Sequence, residues 1–184
     1  YVLPNTLINN KYFKPKAAIN KLLTDPQRVS PLHPTTVNRG AEKGTLNSDS
    51  LLVNVTADCG PLIYRGGQFP EEYNQNAFIC EPEANLIKRN LLTFEGVKTT
   101  AAQAWNDREF IAATDEGFRP VNLLNAPDGA IYAVDMHRGI IEHRAVSTPY
   151  YRNGITNKKL DTLQHMGRIL RIKHKNKDVS KIPE

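Results

Sequence analysis

The sequence predicts an all-β protein made of tandem antiparallel strand modules of the β-propeller type. Three observations carry that prediction. The stretch Ala77–Arg89 (AFICEPEANLIKR) returns as Ile131–His143 (IYAVDMHRGIIEH) with the same order of roles: a β-prone run, an acid at its end (Glu81, Asp135), a three-residue turn, a small turn residue (Asn85, Gly139) and a second apolar pair. Each copy follows a Pro-led run, Pro61-Leu-Ile-Tyr64 and Pro120-Val-Asn-Leu123. Turn residues such as Pro127-Asp-Gly129 punctuate the chain at hairpin spacing.

The elements follow in chain order. Residues 1–50 form an irregular lead-in: Lys16–Leu23 (KAAINKLL) is a candidate short helix ending before Asp25-Pro26, and Pro31, Pro34, Gly40 and Gly44 punctuate a loop. Leu51–Thr56 alternates and predicts a strand. The first module spans Cys59–Leu92, with an outer strand from Thr99–Ala104; Glu109–Ala112 leads into the second module, Arg119–His143. Ile155–Gln164 predicts a helix, and Gly167–Ile172 a last strand that completes a blade. The organisation is therefore a lead-in (1–50), propeller blades (51–172) and a basic C-terminal tail (173–184).

A closed propeller takes about four to eight four-stranded blades. The 184 residues suffice for two to three, so the expectation is a piece of a larger ring that by itself is inactive and leaves apolar strand faces uncovered. No run of about 18 apolar residues is present, so no transmembrane segment is predicted. Most of the net charge of +5 sits near the C-terminus, where six Lys and Arg from Arg168 onward outweigh Asp178 and Glu184. Such a tail reads as a solvated end, and no nucleic-acid-binding motif accompanies it. There is no CxxCH for covalent haem, no dinucleotide or phosphate loop, and no metal-ligand spacing of Cys or His.

The module geometry predicts a site. If Pro61–Tyr64 is an inner strand and Ala77–Cys80 its antiparallel neighbour, the start of one and the end of the other share an edge. The same holds for Arg119–Asn122 and Ile131–Val134. Asp58–Gly60, Cys80–Glu83, Asp115–Arg119 and Asp135–Arg138 are thus expected at one face, and Arg65–Tyr73 and Asn125–Gly129 at the other. The same pairing brings Cys59 and Cys80 side by side. A disulfide there encloses about 20 residues, stabilises by very roughly 3 kcal/mol and argues for an exported, oxidising location; two reduced, buried thiols are the alternative.

At the polar face, Arg119 is a candidate ligand contact or a surface ion-pair partner of Asp115 or Glu116. Asp135 is a candidate ligand contact or an acceptor of backbone N–H groups in its turn. His137 reads as a structural residue that, with Arg138, adds polarity. Glu81 repeats Asp135 by position, and repetition favours a scaffold role for both.

The segments Cys59–Pro70, Asn76–Pro82, Phe118–Leu123, Ala126–Glu142 and Gly167–Ile172 resemble the closing blades of glucose/sorbosone-dehydrogenase-like propellers, nearest to the large bacterial membrane-associated or periplasmic dehydrogenase-type proteins. The resemblance covers about residues 38–172. It implies a six-bladed propeller, a pyrroloquinoline quinone cofactor with calcium, a carbohydrate-type substrate and a c-type cytochrome as electron acceptor. Arg119 and Asp135 match cofactor-face residues of that family, and Arg138 stands beside them. A fixed planar cation in such a place holds anionic carboxylates and stabilises charge on a reduced quinone. The family's lysine in the preceding turn is Glu83 here, an arginine two positions before Arg119 is Gly117, and the general-base histidine belongs to an earlier blade; no catalytic residue is assigned in this chain.

Two functional expectations result. One is the C-terminal part of a quinoprotein-like sugar or alcohol dehydrogenase, periplasmic or otherwise envelope-associated, completed by further blades or a companion chain. The other is a non-catalytic propeller module that binds a glycan or a protein in the cell envelope, which Glu83 and Gly117 favour.

Overall fold

The computed structural model describes residues 2–4, 20–22, 27–96 and 98–176. Val2–Pro4 (β1) and Asn20–Leu22 (β2) pair antiparallel. The expected Lys16–Leu23 helix is therefore corrected where it is described: Asn20–Leu22 is strand, and the remainder lies outside the described residues. A helix of that length falls below the ~12–15 residues that sustain one without packing.

The first sheet runs β3 (Cys59–Ile63), β4 (Ala77–Glu81), β5 (Leu86–Glu95), β6 (Lys98–Gln103), all antiparallel. Its second strand, β4, is buried along its whole length and apolar up to the closing Glu81, as suits a strand covered on both faces. The two-residue β7 (Ile111–Ala112) pairs with Leu86 and Ile87 of β5, while β6 pairs with the Asn90–Glu95 half. The outer-strand position is thus shared by two segments. Glu109 and Phe110 lie before β7 rather than within it.

The second sheet has the order β8 (Pro120–Asn125), β9 (Ile131–Asp135), β10 (Arg168–Ile172). The tandem repeat is reproduced in its first two strands. Both inner strands are Pro-associated, both shift register near their polar ends, and both neighbours close on the repeated acid. Proline has no N–H for the ladder, which suits it to such an irregular strand entrance.

The repeat then breaks. Ile140–Ile141 forms no strand, and the third position is taken by β10, which arrives after a long insertion. Gly139 abuts the carbonyl of Leu160, so a side chain there would collide with it. Ile140 packs instead on Tyr151, Ile155 and Leu160. The helix of this insertion, α1 (Pro149–Asn157), starts earlier than the expected Ile155–Gln164, and Leu160–Thr162 is a single 3-10 turn. Thr148 caps it by accepting from Tyr151 N at 3.2 Å, and Pro149 fills the first helical position, where a missing N–H costs nothing.

Leu51–Thr56 is not a regular strand; it makes only the isolated bridges Leu46↔Leu52 and Arg28↔Asn54 with the irregular lead-in. That lead-in covers one face of the first sheet through Val29, Val37, Leu52, Ala84 and Leu86. The opposite face meets the second sheet in a core of Tyr64, Phe69, Phe78, Ile87, Phe118, Leu123, Ile131 and Ala133. The remaining face of the second sheet carries Asn122, Leu124, Tyr132, Val134, Ile169 and Arg171, alternate residues in ladder register. Leu124 is 50% and Ile169 68% exposed, so within the described chain an apolar sheet face is left uncovered. Neither sheet closes on itself.

Close approach of the two inner strands depends on Gly60. It sits at φ +55°, and a Cβ there would lie 2.5 Å from Asn122 Cα and 2.5 Å from Val121 O. Gly60→Ala is expected to destabilise by about 2 kcal/mol or more, because backbone rather than a flexible side chain must move. An unchanged urea midpoint would refute this account of the sheet contact.

Candidate functional site

The strand pairing gathers the sequence-predicted polar segments at one edge. Cys59 faces Cys80, Pro120 faces Asp135, and the turns after β4 and β9 lie next to each other. At the opposite edge, Arg65 N donates to Asn125 Oδ1 at 3.1 Å and Asn125 Nδ2 to Ile63 O at 3.1 Å. Tyr64 OH donates to Gly129 O at 2.5 Å.

Arg119 occupies the centre of the polar edge and is 1% exposed. Its Nη1 donates to Pro82 O at 2.6 Å and Glu83 O at 3.4 Å, its Nε to Arg138 O at 3.3 Å, and its Nη2 to Gly139 O at 3.4 Å. The guanidinium therefore joins the turn after β4 to the turn after β9 through main-chain acceptors. The ion pair with Asp115 or Glu116 allowed by the sequence is replaced by these carbonyls, and Glu116 pairs with Lys158 at 2.6 Å. Burial lowers the arginine's pKa, which the surrounding Tyr151, Glu116, Glu83 and Glu81 partly offset.

Asp135 is fully buried and equally engaged. Its Oδ1 accepts from Arg119 N and His137 N, both at 2.8 Å, and its Oδ2 accepts from Arg168 Nε at 2.8 Å. The turn-holding role is the one its contacts describe. His137 adopts φ +42° over this carboxylate, with Nδ1 3.4 Å from Asp135 Oδ2 and Nε2 3.8 Å from Asp115 Oδ2. Thus two of the basic residues near the C-terminus, Arg168 and Arg171, are tied to acids of the second sheet, Asp135 and Asp128.

Arg138 differs from its neighbours: its side chain is exposed at the same edge and makes no ion pair among the described residues. For Arg119 or Asp135 to meet a quinone, the hydrogen bonds just given would have to be surrendered. Their donors and acceptors do not fit that role as they stand. Among the described residues, no group of three or more His, Cys, Asp or Glu is arranged to hold a metal.

Cys59 and Cys80 are directly opposed across β3 and β4, as the sequence predicts, but both are free thiols and the expected bridge is not formed. They share a hydrogen bond that favours the thiolate at Cys59 and holds the proton on buried Cys80.

Glu81 accepts from Thr56 N and Ala57 N, each at 3.0 Å, and fastens the lead-in to the end of β4. Burial outweighs these hydrogen bonds and raises its pKa to about 7, with Asp58 and Glu83 adding repulsion; Asp58 is raised by burial too. Folded Glu81 therefore keeps a proton where the unfolded chain, near 4.5, has lost it. Its contribution is greatest below the unfolded value and is lost as pH rises through the folded one. Glu81→Gln is expected to flatten this fall: urea midpoints at about pH 5 and about pH 8 should differ less in the variant than in the parent. An identical pH response in both proteins would rule it out.

Sequence reasoning missed the polar face of α1. Tyr150, Asn153 and Asn157 belong to no motif, and only their spacing along one helix face would have drawn them together.

A family model described as a domain of unknown function, DUF7133, matches residues 1–176, and the chain belongs to that family. No curated protein and no solved structure matches it. Among the described residues, no helix is long and apolar enough to cross a membrane.

Proposed function

For a DUF7133 member with this polar edge, we propose a non-catalytic role: a propeller-type segment of a larger cell-envelope protein that binds a glycan or another protein. The observation that carries this reading is the internal engagement of Arg119 and Asp135. Both residues that the family resemblance assigns to a cofactor hold the chain's own turns. The uncovered face of the second sheet supports further blades, from the same polypeptide or a companion.

A second reading, a quinoprotein-like sugar or alcohol dehydrogenase passing electrons to a c-type cytochrome, is favoured by Arg138. That exposed cation stands at the edge where the resemblance expects an anionic cofactor. In this reading the reacting groups come from the rest of the protein.

The two readings separate in one assay. The full-length protein is incubated with pyrroloquinoline quinone and calcium, then offered aldoses, aldehydes and polyols with a redox dye. No bleaching is expected; substrate-dependent bleaching that falls in Arg138→Ala overturns the binding-module reading and establishes the second.

A further inference from the structure

A cavity of about 360 Å³ lies between the lead-in and α1. That volume is in the range of small-molecule sites, ~300–1,000 Å³. One wall is helical: Tyr150, Asn153 and Asn157 stand three and four residues apart, which puts them on one face of α1. Thr35, Thr36 and Ser50 of the lead-in form the other wall. Gly154 lets the walls approach, because a Cβ there would lie 2.9 Å from Thr36 Cγ2.

Asn153, Asn157 and Thr36 offer neutral polar groups to this cavity, whereas Thr35 Oγ1 already accepts from Leu52 N at 3.1 Å. Asn153 and Asn157 are exposed at the cavity, and their side-chain amides make no hydrogen bond to any described residue. Thr36 is 6% exposed as a residue, and its hydroxyl, which is not sealed from solvent and has no partner among the described residues, lines the cavity. The one cation in the lining, Lys158, is neutralised by Glu116 Oε1 at 2.6 Å. Tyr150 is 41% exposed and its ring rests against Gly40, which presents an aromatic surface at the mouth.

Amides and hydroxyls each donate and accept, and so match ligand groups that do both. An exposed aromatic ring covers the apolar face of a sugar, and among the described residues the cavity has no cation besides the paired Lys158, which disfavours phosphate or carboxylate. We infer that this cavity is a binding site for a neutral saccharide unit, held by Asn153, Asn157 and Thr36 with Tyr150 against the ring. The inference rests on the binding-module reading and gives it a site and a ligand class.

The test is calorimetric or NMR titration of the full-length protein with glucose, galactose, xylose and N-acetylglucosamine, their β-1,4-linked disaccharides, and glucose 6-phosphate as the charged control. The expected result is binding of at least one neutral sugar with a Kd of about 1 mM or tighter, weakened about tenfold or more in Asn153→Ala/Asn157→Ala. Thr36→Val keeps the volume of the side chain and should weaken binding without shifting the thermal midpoint. The inference is overturned if none of the neutral sugars binds, if glucose 6-phosphate is preferred, or if both variants bind like the parent. Unaltered binding in the variants leaves the binding-module reading standing with its site elsewhere, whereas quinone-dependent turnover removes that reading and leaves the titration result unaffected.

Discussion

Arg119→Leu is expected to destabilise the protein by at least about 3 kcal/mol, a large part of the roughly 5–15 kcal/mol that holds a domain of ordinary stability. Four main-chain acceptors, the carbonyls of Pro82, Glu83, Arg138 and Gly139, lose their donor at once. Leucine cannot reach both turns, and neither can lysine, whose three donors radiate from one atom; Arg119→Lys should recover only part of the loss. Chemical unfolding monitored by circular dichroism reads the effect. The same variant also arbitrates between scaffold and ligand contact. A protein that keeps its unfolding midpoint and loses only ligand binding would show that Arg119 is not the clamp its contacts describe.

The second large effect concerns Lys88 and Glu109, an ion pair at 2.9 Å in which each side chain is 1% exposed. Lys88 Nζ also donates to Arg28 O at 2.7 Å, and Glu109 accepts from Ser30 N at 3.0 Å, so the pair fastens the lead-in to β5. Burial raises the pKa of Glu109 despite the adjacent ammonium, which means that attraction does not fully offset desolvation. Removing one partner is therefore far worse than removing both. Lys88→Met should cost about 3–5 kcal/mol, through a buried carboxylate left without its cation. Adding Glu109→Leu should restore most of that, short of the parent by about 1–3 kcal/mol because Ser30 N–H loses its acceptor. A double-mutant cycle measures this coupling, and additive losses would contradict it.

The first sheet was legible in the sequence because a short apolar run, a closing acid and a small turn residue follow one another as a buried strand and its turn do. Asn85, read as a turn residue, adopts a left-handed φ of +58°. The second copy has the same order of residue roles but not the same outcome. Gly139 is at a close contact with Leu160 rather than at the left-handed position, which His137 takes, and Ile140 joins the helix core. Only tertiary packing decides between a third strand and a helix core for an Ile-Ile pair. The edge that gathers Asp58, Glu81, Arg119 and Asp135 was legible for the same reason the sheets were: antiparallel pairing fixes which ends meet. What those side chains do there was not, since a sequence does not reveal that an arginine's partners are carbonyls. The α1 cavity was illegible because one of its walls is irregular backbone and the other rests on a helix whose start was misplaced.

The late arrival of β10 sets an order of events during synthesis. The hairpin of β8 and β9 is complete at Asp135, but the strand that covers the free edge of β9 begins only at Arg168. Until the intervening segment has left the ribosome, a row of unpaired N–H and C=O groups stands open beside Ile131 and Ala133. Such an edge invites pairing with the wrong chain. Asp135, waiting with one oxygen for Arg168, marks where the correct strand docks and fixes its register from the first residue.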